Sequence, residues 1–417
     1  MSSVSINYES LLRKTRSSAQ GEGKLIKFMC ILCEEEVEAV GANRCPRCTG
    51  VVDAIYDLDQ VDILPMGFSP NPLERYYSLL PLKEKNSLKW LGEGNTPCFE
   101  VPEIAEMMGV AHLYLKDETV NPTKSTKDRI ASVGLSRFGE LGTRDLVLAS
   151  TGNSSTAYAR GAQLTEDFTV HIFVGRDFAH RLNYADHPRV ITHAVDGEFV
   201  KAGEVGQQFA KESGFTWEGG FFNLSRREGL KLAYLEAFDA MPEQPDYVFQ
   251  AVSSGMGLLG AYKGALEYVE LGFLRHLPSF FAVQQKSCAP MARAFAEGAE
   301  SIASHHIVRN PSGIAAAILR GNPSGAYPYI RDLCLQSGGG ILAEPEKDIR
   351  DAHTLLKKVA GVRTCFASAT ALAGALRAAR DGLLASDSVV LVNLTGADRA
   401  ARPAPTQFIT WNTGSAE

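Results

Sequence analysis

Nowhere is this 417-residue chain apolar for the roughly 20 consecutive residues that a membrane-spanning helix needs. Basic charge is also in short supply. Lys and Arg total 42 against 48 Asp and Glu, a formal charge of −6, so nucleic acid is not an expected partner. The first residues, Met-Ser-Ser-Val-Ser-Ile-Asn-Tyr, have no basic region followed by an apolar core. A secretory signal is therefore not expected, and cytoplasm is the expected compartment. The Walker pattern G-x4-G-K-[ST] is missing, as is a G-x-G-x-x-G at the first strand, so neither nucleotide class is favoured. No fixed-period repeat or low-complexity tract is present. The remainder is ordinary globular composition, 45% hydrophobic and 22% charged with a mean hydropathy of −0.08. The length suits two or three domains.

Cysteine is scarce but unevenly placed. Four of the eight form two C-x2-C knuckles, Cys30/Cys33 and Cys45/Cys48, separated by eleven residues. Four thiolates at this spacing can close tetrahedrally around one Zn2+, and four protein ligands would make the ion structural. Two disulfides, or metal-free thiols, are the competing readings. Cys98, Cys288, Cys334 and Cys365 are scattered and read as small buried apolar residues.

Residues 1–27 are polar and expected to be mobile, 28–52 to form a zinc ribbon, and 53–417 to form the main body. From about residue 85 short β-branched runs alternate with helical patterns, which predicts parallel α/β architecture. Strands are expected at 112–116, 145–149, 169–174, 190–195, 246–252, 279–284 and 388–394, with helices at 127–141 and 346–360. The tail from Arg402 reads as irregular.

Ligands of open parallel sheets bind beyond the carboxyl ends of the strands. Four polar segments fall at such places. Ser150-Thr151-Gly152-Asn153-Ser154 offers hydroxyls and an amide suited to a carboxylate, or a simple helix N-cap. Ser253-Ser254-Gly255-Met256-Gly257 can hold an anion on backbone N–H groups, or be a structural turn. Thr395-Gly396 ends the last strand, where the hydroxyl can meet a ring nitrogen or close the edge. Asn121-Pro122-Thr123-Lys124-Ser125-Thr126-Lys127 puts a lysine at a helix start, where burial lowers an amine's proton affinity. A helix-start lysine without chemistry is the commoner case.

These segments carry a resemblance. NPTKSTKDR, preceded by Lys116-Asp117-Glu118, resembles the NPTGSFKDR of the fold type II pyridoxal-phosphate (PLP) enzymes, within them the threonine synthase family. GNTP at 94–97, ASTGNS at 149–154, NLSRREGLK at 223–231 (against NPYRxEGQK), ILRGNP at 318–323 (against AIRIGNP), SGG at 337–339 and LTG at 394–396 follow in consistent order.

The resemblance implies two parallel-sheet α/β domains of the tryptophan synthase beta-like type after an N-terminal zinc ribbon, the smaller domain being about 143–222. It implies a PLP-dependent lyase of amino-acid biosynthesis, expected as a homodimer. Lys127 would take the cofactor's aldehyde, Asn153 its phenolic oxygen, Ser253 to Gly257 its phosphate, and Thr395 its ring nitrogen. Ser150, Thr151, Gly152 and Ser154 would receive the substrate carboxylate, and Lys116, Asn223 and Arg226 a leaving phosphate. O-phosphohomoserine is the expected substrate, with water adding to give threonine.

Departures from the pattern bear on the substrate. Lys124 and Thr126 replace glycine and phenylalanine, and Cys365-Phe366-Ala367-Ser368-Ala369-Thr370 stands for EPASAA. Other segments, Arg226 to Gly229 and Phe249 to Val252, resemble cysteate synthase, which displaces the phosphate of O-phosphoserine with sulfite. A relative without activity, working as a binding or regulatory module, is the third reading.

Overall fold

A computed structural model describes residues 4–15, 24–38, 44–150, 152–197, 199–399 and 403–412. The strands in chain order are β1 (Ile26–Cys30), β2 (Val52–Tyr56), β3 (Cys98–Glu100), β4 (His112–Asp117), β5 (Asp145–Ala149), β6 (Thr169–Gly175), β7 (Val190–Val195), β8 (Thr216–Trp217), β9 (Tyr247–Ala251), β10 (Ser279–Gln285), β11 (Gly340–Glu344), β12 (Val389–Leu394) and β13 (Ile409–Trp411). They form three sheets. The antiparallel pair β1–β2 belongs to the cysteine-rich segment. A six-stranded sheet has the order β11-β10-β9-β12-β4-β3, parallel except for β3 at the edge. A five-stranded parallel sheet has the order β13-β7-β6-β5-β8.

Strands buried on both faces read as continuous apolar runs. β12, Val-Val-Leu-Val-Asn-Leu, is buried at every position. One face of its sheet carries the helices Leu224–Ala240 and Met256–Glu270, and the other carries Glu346–Lys358 and Phe366–Arg380. The helix Leu224–Ala240 has charged residues on every side, yet Leu224 through Phe238 are all buried. It is a central element whose charges find partners inside the protein.

The expected strands and both named helices are present within one or two residues of their expected bounds. Two expectations need correction. Residues 1–3 and 16–23 lie outside the described residues, but Tyr8–Thr15 is a helix whose Tyr8, Leu11 and Leu12 are buried in the main core. Those residues recur at i, i+3 and i+4, the spacing of one helix face. The tail is likewise not wholly irregular, because β13 extends the smaller sheet by pairing with β7.

Candidate active site

The lysine turn lies between β4 and the helix Lys127–Glu140 and is fastened at both ends. Asp128 accepts from Thr123 N (2.7 Å) and Thr123 Oγ1 (2.8 Å). Thr126 N donates to Thr395 O (2.9 Å), and Ala397 N donates to Lys124 O (2.9 Å). The turn and the end of β12 are thereby laced together. Burial, and then the nearby Arg226 guanidinium, lower Lys127 to a pKa of about 8. An amine so placed is partly neutral near physiological pH, as a carbonyl-capturing lysine requires. Lys124 occupies the left-handed region at φ 60°, where the related pattern has glycine. Its exposed side chain lines a separate depression with Lys357 and Arg363.

Beneath the turn lies a buried ion cluster. Arg129 binds Glu118 (Nε–Oε2 2.7 Å) and Glu236 (Nη2–Oε2 2.7 Å), and none of its side chain is exposed. Burial alone would raise Glu236, but Arg129 and Lys116 hold it well below the usual carboxylate range. Lys116 is part of this cluster, donating to Glu236 Oε2 (2.8 Å) and to Thr96 O (2.7 Å) with 1% of its side chain exposed. The expectation that Lys116 meets a leaving phosphate is corrected: its charge is used in anchoring β4 to Glu236.

Asn223 is corrected for a similar reason. Its Oδ1 caps the helix Leu224–Ala240 by accepting Ser225 N (2.9 Å), and its Nδ2 donates to Glu218 (2.8 Å). Arg226, in contrast, reaches the Ser154 side of the smaller lobe. Glu218 clamps it through Nε (2.5 Å) and Nη2 (2.6 Å), while Nη1 reaches Ser154 Oγ (3.3 Å). Ser150 Oγ accepts from Ser155 N (3.1 Å), which closes the turn before the helix Asn153–Thr165. Gly152 is the N-cap of that helix, and no side chain caps it there. Thr151 lies outside the described residues.

A cavity of about 430 Å3 separates the two lobes. Asn153 and Arg181 line it from the smaller one, and Ala317, Cys365, Phe366 and Arg399 from the larger. Thr395 Oγ1 lies 3.4 Å from Ser368 Oγ, and Ser368 also accepts Gly396 N (2.8 Å). Ser368 was not singled out from sequence; its segment departs from the EPASAA pattern, but it keeps that pattern's serine.

The segment Ser253 to Gly257 begins the helix Met256–Glu270, with Gly255 as N-cap at φ 79° and no side-chain cap. A Cβ on Gly255 would lie 2.4 Å from Ile330 Cδ1, so only glycine fits that cradle. The uncapped N–H groups of this helix start suit a phosphate. Together with the low-pKa Lys127 at the other helix start, the residues present fit PLP.

The four knuckle cysteines also meet. Sγ atoms of Cys30 and Cys48 are 3.4 Å apart, Cys33 and Cys48 3.4 Å, and Cys33 and Cys45 3.6 Å. Four sulfurs bound to zinc at ~2.3 Å stand about 3.8 Å apart. All four ligand atoms lie within 4.8 Å of one another, which favours one tetrahedral ion over two disulfides.

The chain from 89 to 396 matches the family described as "Pyridoxal-phosphate dependent enzyme". The protein therefore belongs to the PLP-dependent enzymes, on the α/β fold of type II. Within them it belongs to the threonine synthase family. It is 30% identical to threonine synthase of Methanocaldococcus jannaschii over 373 residues, 88% of this chain and 91% of that protein. It is 27% identical to cysteate synthase of Methanocorpusculum labreanum over 389 residues, again 88% and 91%. The fold is similar to that of maize serine racemase (TM-score 0.59, 19% identity, 74% of this chain and 90% of that one). No helix among the described residues is long and apolar enough to cross a membrane.

Proposed function

We propose that this enzyme converts O-phosphohomoserine and water into threonine and inorganic phosphate. The observation that carries this reading is the lysine amine at about pKa 8, beside an arginine that also contacts the Ser150–Ser154 turn. Lys127, Asn153, the Ser253–Gly257 cradle and Thr395 would hold PLP, with Ser368 supporting Thr395. Bound PLP supplies an electron sink for negative charge at the substrate Cα.

The chain's own groups do the rest. Lys127, close to half neutral near pH 8, takes the Cα proton and returns it later in the cycle. Arg226, aimed by Glu218, stabilises charge on the departing phosphate with charge-assisted hydrogen bonds. Ser150, Thr151, Gly152 and Ser154 orient the substrate carboxylate. A hydroxyl at the ring nitrogen does not force its protonation as a carboxylate would, which restrains transamination and favours elimination and replacement. One Zn2+ on Cys30, Cys33, Cys45 and Cys48 would hold the ribbon closed.

The likeness to cysteate synthase supports a second reading, replacement of the phosphate of O-phosphoserine by sulfite. Phosphate release from each phospho-amino acid, with and without sulfite, separates the two. Release from O-phosphohomoserine with threonine as product is expected; release only from O-phosphoserine with sulfite would reverse the assignment.

A further inference from the structure

The segment Ile318 to Pro323 reads Ile-Leu-Arg-Gly-Asn-Pro, so arginine stands before the glycine where the related pattern has isoleucine. The loop around it is tightly held. A Cβ on Gly321 would lie 1.8 Å from Val308 O, and Val308 N donates to Gly321 O (3.0 Å). Arg181, from across the cleft, donates to Ala316 O (3.1 Å). Ile314, Ala316 and Ala317 just before Arg320 line the cavity between the lobes.

Arg320 itself is poorly provided for. Its Nε is buried without a hydrogen-bond partner. Its proton affinity is lowered by burial and then by Arg226, and no carboxylate among the described residues acts against that. Arg226 has Glu218 at 2.5 Å. Arg226 thus acts on Lys127 and on Arg320, and the carboxylate paired with Arg226 is Glu218. A half-buried cation whose buried Nε has no hydrogen-bond partner is unfavourable in the resting protein and well suited to a transient anion.

We propose that Arg320 is a specificity-determining residue that binds the substrate's phosphate together with Arg226. This rests on the phospho-amino-acid reading above. Arg226, neutralised by Glu218, fixes direction, while Arg320 supplies the charge that selects a dianion over a neutral or singly charged leaving group. The phosphate of the cofactor is the other source of the same chemistry, and the experiment separates the two.

Arg320→Met and Arg320→Lys are compared with the wild-type holoenzyme. Calorimetric titration with inorganic phosphate is expected to show affinity falling roughly 10- to 100-fold in the methionine variant and partly restored by lysine, the span of a lost charged hydrogen bond. The visible absorption and PLP affinity should not change, and the melting temperature should hold or rise, because no protein partner is lost. Unchanged phosphate affinity, no phosphate binding by the wild type, a fall in PLP affinity instead, or a lower melting temperature in both variants would each overturn the proposal. Phosphate binding that needs Arg320, without turnover of O-phosphohomoserine or O-phosphoserine, would sink the proposed function and leave this inference standing. Turnover of a phospho-amino acid with the same kcat/KM in Arg320→Met would do the reverse.

Discussion

Two groups of buried charge lie close to the lysine turn and are built on opposite principles. Beneath it, Arg129 and Lys116 face Glu118 and Glu236, two cations against two carboxylates, with hydrogen bonds filling the remaining sites. On the other side, Arg226 stands between Lys127 and Arg320 in its electrostatic influence, and among the described residues the carboxylate paired with it is Glu218. A balanced buried cluster is complete without a ligand, and its work is to fix the backbone. An unbalanced one is completed by an anion from outside. Basic residues of one neighbourhood therefore divide into anchors and receptors according to what already neutralises them.

The largest effect expected concerns the receptor side. Lys127→Ala should lower turnover by about 10²- to 10⁴-fold, the usual range for a positioned acid–base group, while leaving urea unfolding nearly unchanged. Loss of stability with retained turnover would show that this lysine is an anchor after all. Glu236→Gln tests the anchor side. It leaves Arg129 and Lys116 with one ionised carboxylate between them and should cost about 3–5 kcal/mol in urea unfolding. A change well below 1 kcal/mol would mean the cluster is not the foundation of the turn.

The pH response is the third test. In PLP-free protein, labelling of Lys127 by an amine-reactive reagent needs the neutral amine, so its rate should rise with a midpoint near pH 8 rather than the ordinary 10.5. Arg226→Met removes a like charge and should move the midpoint upward, because burial alone then remains. An unshifted midpoint in the variant would separate the two residues. The smallest effect on chemistry is expected from the ribbon. Chelation should release one zinc per chain, measured with a metal-sensitive dye, and lower the melting temperature before it touches the cleft. Release of no zinc from freshly isolated protein would leave the four thiols without their proposed ion.

Elements that depend on local pattern were legible in the sequence. β5 and β7 occur at the expected residues, and the helix after Lys127 ends within a residue of the expected position. The helix Tyr8–Thr15 had a readable apolar face, but its short length and polar setting hid it. Pairing was harder to see. Lys116 meets Glu236 across a separation of 120 residues, and that contact, rather than its place in a motif, decides what it does. Asn223 followed the same course, since helix caps and phosphate ligands draw on the same residue types. Arg320 escaped notice because a cation's lack of a partner is a property of three dimensions only.

The lacing of the lysine turn to the end of β12 has a mechanical corollary. Hydrogen bonds from Thr126 to Thr395 and from Ala397 to Lys124 run in opposite directions between two short stretches of backbone. The backbone beside Lys127 and that of Thr395 are therefore held at one fixed spacing, like marks on a ruler. A displacement of the smaller lobe would carry Asn153 and Ser154 with their helix and leave the backbone link between Lys124–Thr126 and Thr395–Ala397 as it is.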